Sequence, residues 1–83
     1  MKVTLKLYAS LGSYLPQLTS DRAIDVDTSP GTTPNQLLDR FGVPHKLAHL
    51  VVLNGVYVPP GERDTSVLND SDTLAVWPPV AGG

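Results

Sequence analysis

The residues best suited to chemistry stand at the end of the chain, in the run Pro78-Pro79-Val80-Ala81-Gly82-Gly83. A C-terminal carboxylate is a poor electrophile. It reacts with a sulfur or amine nucleophile only after activation, for instance as an acyl adenylate, and activation requires the tail to thread beside a nucleotide in another protein. Gly82 and Gly83 lack a Cβ, so their backbone passes a narrow channel and reaches φ/ψ values closed to other residues. Pro78-Pro79 stiffens the exit from the fold and blocks further strand pairing. From Pro78 onward the tail can reach roughly 20 Å when stretched, enough to enter a partner's active site. A passive tail would need none of this. The Gly83 carboxylate is therefore the candidate reactive group, and Val80, Ala81 and Gly82 form the candidate threading segment.

Other chemistry-bearing pairs are weaker. His45 and His49 stand four apart, a spacing that binds metal on a helix, but Pro44 precedes them and no third ligand is near. They read as a surface pair. Asp70 and Asp72 lie in a turn-forming run, which favours side-chain bonds to backbone in a solvated turn over paired-carboxylate catalysis. Asp21, Asp25 and Asp27 read as the polar face of a strand. The chain has no Gly-x-Ser-x-Gly elbow and no phosphate-binding glycine loop, so nothing in it binds ATP unaided.

Composition narrows the class further. The 83 residues make one domain, 41% hydrophobic and 17% charged, which suits a folded chain with a thin core. With 6 basic and 8 acidic residues the net charge is −2, and no basic stripe exists to neutralise phosphates, so nucleic acid is not an expected partner. Cysteine is absent, which excludes disulfides, thiolate nucleophiles and cysteine metal sites. The longest apolar run, Leu50 to Leu53, is too short to span a bilayer. The alternating N-terminus does not resemble a signal peptide. These features together predict a cytoplasmic protein.

Positioning the tail requires a scaffold, and the elements are legible. Val3, Leu5 and Leu7 alternate with Lys2, Thr4 and Lys6, the pattern of a half-buried strand. Ser10 to Ser20 reads as a loop with a helical turn that lets Leu11, Tyr14 and Leu15 cap the core. A second short strand covers Ala23 to Asp27, and Ser29-Pro30-Gly31 turns the chain. A two-turn helix is expected from about Pro34 to Phe41: Thr33 as N-cap, Pro34 at the first helical position, Gln36 completing a capping box, Leu37, Leu38 and Phe41 on the apolar face, Gly42 at the end. Leu50 to Leu53 and Val56 to Val58 flank Asn54-Gly55, a type I′ hairpin signal. Asn69 to Asp72 is a further turn, and Thr73 to Trp77 a last strand stopped by Pro78-Pro79. Periodicity puts Leu74 and Val76 on one face and Ala75 and Trp77 on the other without deciding which is buried. If Leu74 and Val76 are core, Trp77 lies on the open face beside the tail as a candidate contact residue; otherwise it covers the core's edge. A helix crossing a sheet with one bare face gives a two-layer α+β roll.

The run from Leu68 to Gly83, together with Leu50 to Val58, resembles the MoaD/ThiS family of ubiquitin-like sulfur carriers, whose ending reads L-x-D-G-D, an apolar stretch with an alanine, an aromatic, P-P, an apolar residue, x and G-G. The Pro-Pro-Val-x-Gly-Gly form is closer to the small subunit of molybdopterin synthase than to the thiamine-pathway carrier. The resemblance implies a ubiquitin-like β-grasp roll over residues 1–77, a mixed sheet of about five strands with one main helix on one face, and a flexible tail over residues 78–83. It implies that an E1-like enzyme adenylates Gly83 with ATP, that a sulfur donor converts the adenylate to a thiocarboxylate, and that the tail delivers sulfur to a pterin precursor in a larger synthase subunit. Trp77, Pro78 and Pro79 would then meet partners, and the chain would be a protein cosubstrate, not an enzyme, with no bound cofactor. Two residues depart from the pattern: Ser71 stands for the usual turn glycine and Trp77 for the commoner phenylalanine. A sulfur acceptor in thiamine or another pathway, or isopeptide-forming modification through Gly83, fits the same tail, and a binding module with an inert tail is the remaining alternative.

Overall fold

Alternation drives the first strand. Val3, Leu5 and Leu7 point one way and are at most 1% exposed, while Thr4 and Lys6 point the other. In the computed structural model, which describes residues 1–16 and 21–79, this is strand β1, Lys2–Leu7. It is followed by a 3₁₀ turn at Ala9–Tyr14, strand β2 at Ala23–Asp27 and helix α1 at Pro34–Arg40. Strands β3 (Leu50–Leu53), β4 (Val56–Tyr57) and β5 (Thr73–Trp77) complete the chain, with short 3₁₀ turns at His45–Leu47 and Pro60–Glu62. The sheet order is β2-β1-β5-β3-β4. Only β1 and β5 run parallel; β2 pairs with β1, and β3 with β5 and β4, antiparallel.

Local chemistry sets the helix limits. Thr33 Oγ1 accepts the Gln36 amide at 3.3 Å, and Gln36 Oε1 accepts the Thr33 amide at 3.1 Å, so the capping box forms as expected. The helix stops one residue earlier than expected, because Phe41 serves as C-cap. Gly42 takes φ +74°, and the amides of Gly42 and Val43 return to the carbonyls of Asp39 and Leu38 at 3.1 and 3.0 Å. This double closure is a Schellman motif, and the apolar pair it brings together, Leu38 and Val43, joins the core.

One face of the sheet carries the core. Leu37 and Leu38 of α1 cluster with Leu5, Leu7, Val51, Leu74 and Val76, and Leu11 and Leu15 close the end. Each such leucine contributes roughly 1.5–3 kcal/mol by leaving water. Tyr14 is half-buried against this cluster. The architecture is the α+β, ubiquitin-like β-grasp roll that the sequence implies.

The turns agree in type and differ in detail. Asn54 and Gly55 take φ +50° and +84°, the paired positive values of a type I′ hairpin. β4 ends at Tyr57, although the Val58 amide still reaches Val51 O at 2.8 Å. Asp21 precedes β2 and does not share the polar face of Asp25 and Asp27. Asp72 is not solvated: it is buried, with Oδ2 accepting the Asn69 amide at 2.7 Å and Oδ1 accepting Asn54 Nδ2 at 2.8 Å. The hairpin turn and the loop before β5 are stapled there. Asp70 Oδ1 accepts the Lys2 amide at 2.8 Å.

Ser71 sits in this turn at φ +70°, where a Cβ is strained and glycine is not. Ser71→Gly is therefore expected to stabilise the fold by about 0.5–1 kcal/mol, the relief of strain less glycine's entropy cost. Urea unfolding midpoints of the two proteins check it.

Candidate functional site

Register determines what surrounds the root of the tail. Directly paired residues share a sheet face, so the face turned away from α1 is read row by row. One row runs Ala23, Lys6, Ala75, Val52, Tyr57 across all five strands. The next pairs Trp77 with Leu50 and continues the β1 alternation to Tyr8. This open face has two halves. Over β2 and β1 it is polar, with Lys2, Thr4, Asp25 and Asp27, and Thr4 Oγ1 donates to Asp25 Oδ1 at 2.9 Å. Over β5, β3 and β4 it is apolar, and Leu50 and Tyr57 are 37% and 51% exposed.

Trp77 lies at the tail end of the apolar half, the last residue of β5. Leu74 and Val76 have no exposed surface, so the core takes them and the alternation puts Trp77 on the open face. It is half-buried there, stacked on Tyr8 with ring centroids 4.5 Å apart and planes 8° from parallel. Beside this stack an apolar groove of about 480 Å³ is lined by Ala9 and Ser10 of the 3₁₀ turn, His49 and Leu50 at the start of β3, and Trp77 with Pro78-Pro79. The groove thus runs along the first two residues of the tail. Val80, Ala81, Gly82 and Gly83 lie outside the described residues.

Several participants were not singled out from the sequence. Tyr8 continues the Thr4, Lys6 alternation, but its neighbour across the sheet follows only from the parallel pairing of β1 with β5. Leu50 stands in an unbroken apolar run that does not show which way it faces, and it forms a wall of the groove. Arg63, in an irregular segment, is 5% exposed, and its guanidinium donates to the carbonyls of Ala48, Val58 and His49. No periodic signal marks it. His45 and His49 do not act together: His45 Nε2 meets Asp39 Oδ1 at 2.6 Å, whereas His49 faces the groove. Among the described residues no three metal-ligating side chains converge, and no helix is long and apolar enough to cross a membrane.

A β-grasp roll that ends its central strand in an apolar groove and a Pro-Pro exit belongs to the class of ubiquitin-like carrier and modifier proteins. The ThiS family model matches residues 15–83, and the chain belongs to that family. Such carriers are non-catalytic accessory proteins, and so is this chain. No curated protein matches it significantly. Among solved structures it is similar to SAMP1, small archaeal modifier protein 1, from Haloferax volcanii, with 25% identity over all of both chains and a TM-score of 0.67. The HVO 2177 protein of the same organism shares 24% identity over all of this chain and 87% of that one, with a TM-score of 0.77. One chain of the complex of subunits 1 and 2 of molybdopterin-converting factor from Helicobacter pylori 26695 shares the fold, with 16% identity over all of both chains and a TM-score of 0.59.

The stacked pair supplies a measurable energy. A double-mutant cycle with Tyr8→Ala and Trp77→Ala is expected to give a coupling of about 0.5–1.5 kcal/mol in denaturant unfolding, the range for aromatic pairs.

Proposed function

We propose that the chain is a sulfur carrier for molybdopterin synthesis. An E1-like enzyme adenylates the Gly83 carboxylate with ATP, releasing pyrophosphate. A donor of sulfide-level sulfur then displaces AMP and leaves a thiocarboxylate; inside a larger synthase subunit the tail gives that sulfur to the pterin precursor, and water restores the Gly83 carboxylate. The single observation behind this reading is the apolar half-face and groove at the tail's root. An apolar surface on a soluble domain favours partner docking, and this one adjoins the residues that must thread into the partner. Trp77, with Pro78 and Pro79, lines the groove and meets the partner; Val80, Ala81 and Gly82 are the threading segment. On this reading residues 1–77 dock and residues 78–83 deliver, ATP stays with the activating partner, and the work is done in the cytoplasm. Family membership and the Pro-Pro-Val-Ala-Gly-Gly ending support the pathway.

Likeness to SAMP1 over the whole chain favours one second reading, in which a lysine amine attacks the same adenylate and Gly83 forms an isopeptide bond. Adenylation precedes both outcomes, so the products separate them.

Intact-protein mass spectrometry on chain from its native cell, repeated after incubation with ATP, a sulfur donor and the E1-like enzyme, is expected to show one oxygen replaced by sulfur at Gly83. Lysine conjugates in place of thiocarboxylate would assign the modifier role, and no ATP-dependent change would remove both readings. Deleting Gly83 is expected to abolish sulfur transfer and leave the unfolding midpoint unchanged, because no described element involves it.

A further inference from the structure

We propose that Arg63 is a positioning residue for the groove at the tail's root, fixing the wall against which the activating enzyme seats; this rests on the sulfur-carrier reading above. The guanidinium is buried, yet among the described residues it makes no ion pair. Its partners are backbone carbonyls: Nη1 donates to Ala48 O at 2.6 Å, Nε to Val58 O at 3.0 Å and Nη2 to His49 O at 3.3 Å. A buried cation is costly unless fully hydrogen-bonded, and a core this small has apolar alternatives. What the charge accomplishes is local. Ala48 and His49 lie between a 3₁₀ turn and β3 and belong to neither. The His49 amide donates to Trp77 O at 3.0 Å on one side, and Arg63 takes the His49 carbonyl on the other.

The strut is anchored at its far end. The Arg63 carbonyl accepts the Asn35 amide, in the first turn of α1, at 3.0 Å. Asn35 is itself buried, and its Nδ2 donates to Asp64 Oδ1 at 3.0 Å. Arg63 thus connects the helix layer to the segment that presents His49 and Leu50 beside Trp77. A planar fork with donors at fixed angles serves carbonyls on two separate segments; a lysine ammonium keeps the charge but is a single point on a flexible stem. Lysine at this position should preserve the fold and loosen the wall.

The test compares wild type, Arg63→Lys and Val3→Ala, the last a core truncation at the far end of β1 that serves as a control for lost stability alone. Trp77 is the only tryptophan, so its emission reports the groove directly. For Arg63→Lys we expect red-shifted, more readily quenched emission, and a KM for the carrier in the adenylation reaction about tenfold higher with kcat within about twofold. Val3→Ala should lose stability and change neither. An Arg63→Lys protein with wild-type emission and KM, or one shifted no further than Val3→Ala, overturns the proposal. Should Arg63→Lys not fold, NMR of the wild-type chain decides: slow exchange of the Arg63 Nε–H and the His49 amide supports the strut, and rapid exchange of both overturns it. If no activating enzyme turns over wild type, the sulfur-carrier reading fails, and with it the docking role; emission and exchange then still report separately whether Arg63 fixes the wall.

Discussion

Everything near the tail depends on the parallel pairing of β1 with β5. The last strand of the chain inserts between the first strand and β3 and becomes the middle of five. A terminal strand at a sheet edge would fray and carry its tail with it. A central strand is bonded along both sides and is among the last parts of a domain to open. The tail is thereby launched from the stiffest part of the fold, and Pro78-Pro79 ends the pairing abruptly. A reactive terminus that must enter a partner's channel benefits from a root of defined position and direction.

The same pairing divides labour between the two faces. Leu74 and Val76 complete the core against α1, while Trp77 emerges beside Tyr8 and Leu50 on the open side. Because side chains alternate along a strand, one five-residue segment supplies both the core and the open face. That face is apolar only over β5, β3 and β4, and charges over β2 and β1 limit the patch.

Polar groups do structural work where the strands end. Asp72 and Asn54 fasten the hairpin turn to the start of β5, with Asn54 Oδ1 accepting the Thr73 amide at 2.8 Å. Arg63 fastens the approach to β3 from below. In a domain with so few core residues, these irregular junctions are where regular secondary structure offers no partners, and side chains substitute for the missing ladder bonds.

By itself the sequence determined the local elements. Alternation in Lys2–Leu7, the Thr33–Gln36 box, Gly42 and Asn54-Gly55 are signals carried by neighbouring residues, so they read without knowledge of the fold, and each formed within a residue or so of its expected place. The roll follows from the element order, and the Pro-Pro-to-Gly-Gly ending points to carboxylate chemistry because glycine's conformational freedom is intrinsic. Tertiary structure alone decided which face of β5 is buried, since alternation is symmetric between the two. It alone made Leu50 a groove wall, because in an unbroken apolar run only the register shows that Val51, one residue on, takes the core position opposite Val76. And it alone buried Asp72 and Arg63: besides the short-range bonds to the Asn69 amide and the Val58 carbonyl, they meet Asn54, Ala48 and His49, long-range pairings that no local pattern encodes because they exist only once β3, β4 and β5 have come together.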